Sequence, residues 1–239
     1  TVFVEQKISL NKKGLSPKRL SLMKGLMKYI LLLFSCAALS VSAEDDFGGN
    51  ISVELSKKLS KKIDISLEEE VRLTQNMSHF DRLASTLGAD FKLIKKHLKG
   101  GVAYSALLYN EMNYCLLNHR AIATLTGSTN AGNFEFSLRA RYQATFQDES
   151  YGNSYKVNPK QIVRGKASVE YEFPQIKLYP YISAEAYYEV AKKDCNRVKY
   201  AVGAKKKINR HNSVSAGFLF DDKLKSNNYY LQLGYNYKF

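Results

Sequence analysis

The groups in this chain most able to do chemistry are charged side chains repeated at every second position. Glu68 and Glu70, Arg139 and Arg141, Arg164 and Lys166, and Glu170 and Glu172 each stand two apart, and Glu185 and Glu189 four apart. In an extended strand, residues two apart point to the same side, so each pair shares one face. Charges of both signs gathered in one interior could interlock as ion pairs. They could also line an aqueous path and select solutes by charge. Balanced signs and long side chains favour the interlocked filling, because an unpaired buried charge is costly.

Other chemistry is scarce. His211-Asn212-Ser213 puts an imidazole and a hydroxyl on one strand face, a pairing that outer-membrane lipid A deacylases use for acyl transfer. The run Lys205-Lys206-Lys207-Ile208-Asn209-Arg210 before it reads as a turn, and a two-residue match is weak evidence. His79, His97 and His119 add no Ser/His/Asp set, and no paired carboxylates or phosphate loop suggest catalysis. The expectation is a chain without catalytic residues, metal or cofactor. Beyond Cys36 the only cysteines are Cys115 and Cys195, with no CxxC spacing and no Cys/His cluster for zinc. Both fall in expected loops on one side of the fold. A disulfide and two free thiols are equally open readings.

The elements that must carry these residues are strands. From Phe134 to Gln147, Phe134, Phe136, Leu138, Ala140, Tyr142, Ala144 and Phe146 occupy one face, and polar residues the other. Strands of soluble sandwiches run to about six residues, whereas a tilted membrane-spanning strand needs about nine to eleven. Similar dyads begin at Ile51, Ile63, Leu83 and Val102, with a weak stretch near His119 to Leu125. They continue at Val163–Phe173, Leu178–Val190, Val198–Ala204 and Val214–Phe220. Glu69 alone interrupts the apolar face of its strand. No segment has a helical period, so the fold is all-β: a single antiparallel transmembrane β-barrel of about 10–12 strands. The runs number eleven. Because single-chain bacterial barrels normally close with an even number, twelve is favoured. Short turns on one side and longer loops on the other are expected.

The last strand indicates where such a barrel belongs. Tyr229, Leu231, Leu233, Tyr235, Tyr237 and Phe239 alternate with polar residues. The ending, with Gln232, Gly234, Tyr237 and Phe239 at its key positions, looks like the signal read by the outer-membrane assembly machinery of Gram-negative bacteria. At the other end, Met23-Lys24-Gly25-Leu26-Met27-Lys28 is basic, Tyr29 to Leu39 is apolar, and Val41-Ser42-Ala43 is a small-residue cleavage site. These are the three parts of a signal peptide. Residues 1–22 are therefore read as an upstream segment, 23–43 as the signal peptide cleaved after Ala43, and 44–239 as the barrel. A lipobox at Leu33-Phe34-Ser35-Cys36 is the rival, to which bulky Phe34 is ill suited.

The whole chain holds 36 Lys+Arg and 22 Asp+Glu, a net +14. Residues 1–43 contain seven bases and one acid, so the remainder carries +8. Its cations are scattered through strands and turns, which argues against nucleic acid and for solvent or lipid head groups. Mixed charges on the polar faces, and many of the 17 tyrosines near strand ends, favour a barrel with its apolar face outward in lipid. Trp is absent. A soluble periplasmic barrel with an apolar, ligand-binding interior is the alternative fold.

The chain resembles a family of outer-membrane barrels catalogued as domain of unknown function 2490, from about Phe47 to Phe239. The resemblance rests on Val53-Glu54-Leu55-Ser56-Lys57-Lys58-Leu59-Ser60-Lys61-Lys62, on Leu67-Glu68-Glu69-Glu70-Val71-Arg72, and on Phe134 to Gln143. Pro180-Tyr181-Ile182-Ser183-Ala184-Glu185 and the ending Leu233 to Phe239 complete it. It implies a barrel in the outer membrane and no activity. The resulting expectation is a small, mostly filled outer-membrane barrel with a structural or surface-interaction role. Its partners would be outer-membrane lipid and, during biogenesis, the barrel-assembly machinery. A narrow porin-like channel and a lipid-modifying acyl hydrolase are the alternatives.

Overall fold

The computed structural model describes residues 46–94, 97–111, 114–147, 158–223 and 226–239. The upstream segment, the signal peptide with its Ala43 site and the rival lipobox at Cys36 lie outside the described residues. Among the described residues, alternation of apolar and polar residues yields eleven strands and no helix. They are β1 (Asp46–Lys58), β2 (Ile63–Thr74), β3 (His79–Ile94), β4 (Leu98–Glu111), β5 (Tyr114–Ala131) and β6 (Phe134–Gln147). The second half comprises β7 (Lys160–Tyr171), β8 (Leu178–Glu189), β9 (Asp194–Lys207), β10 (Asn212–Lys223) and β11 (Ser226–Lys238).

Each strand pairs antiparallel with the next, and β1 pairs with β11 to close the barrel. Parity dictates the hand of that last pairing. Successive hairpins reverse direction, so the first and eleventh strands run the same way and can meet only in parallel. Their register runs from Asp46↔Asn228 to Ser56↔Lys238 without a slip. This corrects the preference for twelve strands and for a barrel antiparallel throughout. Eleven periodic runs are eleven strands, and one parallel seam replaces an extra strand.

The weak stretch near His119 is in fact the middle of β5, the longest strand at 18 residues. Its alternation is diluted by Thr, Ser and Asn toward its end, but β4 and β6 pair with it over nearly its whole length. The expected contrast in loop lengths is slight. Connections 75–78 and 190–193 on one side are no longer than 59–62 and 208–211 on the other, and only the segment between Gln147 and Lys160 stands out. The carboxyl end lies on the side of the 59–62 turn, where Phe239 N donates to Ser56 O at 2.9 Å.

The apolar faces point outward. Leu87, Leu138 and Ile182 are each about 60 % exposed or more (59 %, 67 % and 60 %), and Ile51, Leu67, Val102, Leu125 and Val163 are exposed as well. The polar faces point in. An apolar-lined ligand barrel is therefore the reverse of the arrangement present. Rings collect near both rims of the outer face. Phe134, Tyr171 and Phe173 meet edge to face at 4.8 and 4.6 Å on the carboxyl-end side, where Tyr237 and Phe239 do the same at 4.8 Å. Tyr200, Phe220 and Tyr229 form the corresponding group on the other side, at 6.3 and 5.1 Å.

Candidate functional site: a charged chamber inside the barrel

Eleven strands enclose more width than their inward side chains fill. A chamber of about 730 Å³ remains, lined from every strand. At a liquid share of about 30 Å³ per molecule it has room for roughly two dozen waters. Along β3 it reaches from Arg82 to Asp90, roughly 27 Å of strand at about 3.4 Å per residue.

Seven of the ten charged residues singled out in the sequence line this chamber: Glu68, Glu70, Arg139, Arg141, Arg164, Lys166 and Glu185. The other three sit toward its ends. Glu170 follows Lys166 on the inner face of β7, paired in register with Glu135 and Tyr181. Glu172 lies just past β7 and accepts a 2.8 Å hydrogen bond from the Tyr179 hydroxyl. Glu189 closes β8, buried, and binds Lys192 at 3.1 Å, Asn196 at 3.0 Å and Lys160 at 3.6 Å.

The ion pairs run along the wall, between neighbouring strands. Arg164 grips Glu185 with both ends of its fork, Nε to Oε1 at 3.1 Å and Nη2 to Oε2 at 2.7 Å, and donates to Gln143 at 3.2 Å. Arg82 donates to Glu70 at 2.6 Å, and Arg72 lies 3.8 Å from the same carboxylate while donating to Asn50 at 3.1 Å. Two-pronged contacts of this kind hold long side chains flat against the sheet. That is why the interior is lined rather than bridged.

A second cluster escaped the sequence reading. Asp221 is fully buried (0 % exposed), takes both prongs of Arg197, and lies 3.8 Å from Lys199. Tyr187 packs beside it, its ring under the cations of Arg164 at 4.4 Å, Arg197 at 5.2 Å and Lys199 at 5.4 Å. Asp221 followed by Asp222 and Lys223 resembles a polar loop. The signal that could have placed it is the continued alternation Phe218, Phe220, Asp222 against Leu219, Asp221, Lys223.

The lining is biased in sign. Ten cationic side chains face five carboxylates, Glu54, Glu68, Glu70, Asp90 and Glu185. Asp221, buried behind the lining, answers Arg197. The expected balance of signs is therefore absent from the chamber lining among the described residues.

Of the terminal-signal residues, Gln232 lines the chamber. A side chain at Gly234 would collide with Ser215 of the neighbouring strand, its Cβ falling 2.5 Å from the Oγ. Tyr237 and Phe239 point outward in the ring group on the carboxyl-end side. The His211/Ser213 pair does not assemble. His211 is exposed, with Nδ1 2.7 Å from the Lys238 carbonyl, whereas Ser213 is buried. On the outer face Ser85 donates to Glu69 at 2.6 Å, which explains how the interrupting carboxylate is accommodated. His119 lies two strands farther round in the same row and is engaged by the Tyr104 hydroxyl at 2.5 Å.

No cluster of metal-binding side chains occurs among the described residues. Cys115 and Cys195 are free and exposed. They begin β5 and β9, four strand spacings apart. At about 4.8 Å per spacing this far exceeds the roughly 7 Å limit between bridged Cα atoms.

A family described as protein of unknown function (DUF2490) matches residues 48–237. The match covers β1 to β11 almost entirely. A search of curated proteins found none that matches.

Proposed function

Since the chain belongs to the DUF2490 family, whose description names no activity, we propose from the facing of its residues that it is an outer-membrane β-barrel with a narrow, water-filled lumen. The observation that carries this reading is the inversion of a soluble protein's arrangement: an apolar outer band with rings at both rims, and charges inside. Such a band matches lipid between two interfaces. The outer band would contact outer-membrane lipid. The last strand would be the segment recognised by the assembly machinery, after removal of a signal peptide at Ala43.

Passage or retention of small solutes is favoured over a purely structural role. The specific support is the chamber itself, with ion pairs hugging its wall and space left at the axis. Acyl hydrolysis has no support from geometry, since His211 and Ser213 serve the turn and the interior separately. We assign the chain no catalytic step.

One substitution separates a lipid-facing surface from a watery one. Leu138 is 67 % exposed on the outer face near mid-strand. In water, Leu138→Lys should change stability by less than about 0.5 kcal/mol. At a bilayer midplane the cost should be about 2–4 kcal/mol. Unfolding by denaturant in lipid vesicles measures it. A neutral result, together with recovery of the protein in a detergent-free soluble fraction, would sink the membrane reading.

A further inference from the structure

We propose that the chamber contains a binding site for a small oxyanion bearing two or more negative charges, built from Arg139, Arg141, Arg164 and Lys166. The inference rests on the wet-lumen reading above and names the class of solute.

The site follows from register. Arg139 pairs with Lys166 and Arg141 with Arg164 across β6 and β7, so four cations form a two-by-two block on one wall. Among the described residues, one carboxylate lies within ion-pair distance of them. Glu185, opposite Lys166 on β8, is held by both prongs of Arg164 and lies 3.7 Å from Arg139. Arg141 and Lys166 have no hydrogen bond or ion pair among the described residues. The Nε atoms of Arg139 and Arg141 are buried and unpartnered.

Elsewhere in the chamber the cations each meet a partner, although Arg82 Nε is likewise buried and unpartnered. Arg72 and Arg82 share Glu70, Arg197 and Lys199 share Asp221, Lys160 reaches Glu189, and Arg120 donates to Thr145. The largest local excess of cations over carboxylates, four against one, thus stands at this block. Thr124 and Thr126, opposite Arg141 and Arg139 on β5, put hydroxyls beside it. On the far wall, about half the strands away round the barrel, stand Glu54 and Glu68. Glu68 is near enough to feel the charges of Arg139 and Arg141 across the lumen without touching either.

The chemistry of the donors selects the ligand. Guanidinium forks bind two oxygens of one anion at once, and an ammonium adds a point charge. A tetrahedral or planar oxyanion with several negative charges, such as phosphate, satisfies the block. Chloride, with one charge and no fork-matching oxygens, does not.

The test uses the protein as the cell processes it, purified from whichever fraction holds it. Inorganic phosphate is titrated by calorimetry, at a pH where it is a dianion, against chloride at equal ionic strength. Saturable phosphate binding that chloride does not compete away is expected. Arg141→Gln and Lys166→Gln should each weaken it about tenfold or more, the size of one charge-assisted hydrogen bond lost. Lys166→Arg should retain binding. Arg210→Gln, which removes a cation from a turn outside the chamber, should leave it unchanged. Circular dichroism of each variant establishes folding, and either glutamine variant alone suffices. Equal behaviour of phosphate and chloride, or equal loss with Arg210→Gln, would overturn the site. A detergent-dependent protein that ignores phosphate overturns the site alone. A detergent-free soluble protein that binds phosphate through Arg141 overturns the membrane reading alone.

Discussion

Asp221 shows how much a single residue can govern here. Its carboxylate is fully buried and neutralises Arg197 and Lys199, which pack with it on Tyr187. Asp221→Ala would leave two cations facing each other without a counter-charge. Breaking a buried pair from one side typically costs about 3–5 kcal/mol, and that is the loss expected here by denaturant unfolding. Lys199→Met alone should cost less, because the tighter Arg197 grip survives. Similar losses for the two variants would mean that Arg197 is not the main partner. The residue was illegible in the sequence for a local reason: Asp221-Asp222-Lys223 has the composition of a loop, and only its pairing with Lys199 and Asn228 keeps it in the sheet. The rows Glu68/Glu70, Arg139/Arg141 and Arg164/Lys166 were legible because strand periodicity alone tells which residues share a face. Their net sign was not. It depends on Arg72, Arg82, Arg120 and Arg197, whose inward direction follows from the paired strands, and on where the carboxylates end up.

At the scale of elements, β8, β9 and β10 show how a small barrel accommodates a large inward ring. Tyr181 pairs in register with Gly203, which pairs with Gly217, so the ring lies flat over two strands that carry no side chain. A Cβ at Gly203 would fall 2.7 Å from the Tyr181 hydroxyl, but also 2.6 Å from the Ala216 carbonyl and 2.9 Å from the Gly217 Cα. Two of those three atoms are backbone and cannot swing away. Gly203→Ala should therefore destabilise the barrel by about 1–3 kcal/mol, the range of an overpacked core. Adding Tyr181→Ala should restore only part of the loss in a double-mutant cycle. Full restoration would show that the ring, not the carbonyl, sets the fit. The sequence displays these strands plainly, as it does β6, whose fourteen residues alternate without a break. It displays β5 poorly, because Thr, Ser and Asn toward the end of that strand blur the alternation while its two neighbours still supply hydrogen bonds. Alternation reports what a face packs against; the ladder itself can extend where alternation fades.

The whole molecule adds a property that no strand possesses, the seam. Which strands meet to close a barrel is decided by count and parity, and a dyad pattern read strand by strand says nothing of either. Eleven strands force β1 and β11 parallel, with outward residues Ile51, Val53 and Leu55 opposite Leu233, Tyr235 and Tyr237. Cysteine pairs can read that arrangement directly. Ile51→Cys with Leu233→Cys, and separately Leu55→Cys with Tyr237→Cys, should each form a disulfide in a background with Cys115 and Cys195 replaced by Ser, because paired positions lie within the roughly 4.4–6.8 Å reach of bridged Cα atoms. In a parallel seam both pairs close, since moving four residues along one strand moves four along the other in the same direction. In an antiparallel seam the second residue would have to move the opposite way. If one pair closes, the other is then about eight residues out of register, near 27 Å at about 3.4 Å per residue. Oxidation of both variants, seen as faster migration on non-reducing gels, is the expected result. A bridge in only one of them would mean that the barrel closes with an even number of strands, and that the wall carrying Glu54 and Glu68 stands elsewhere relative to the cationic block.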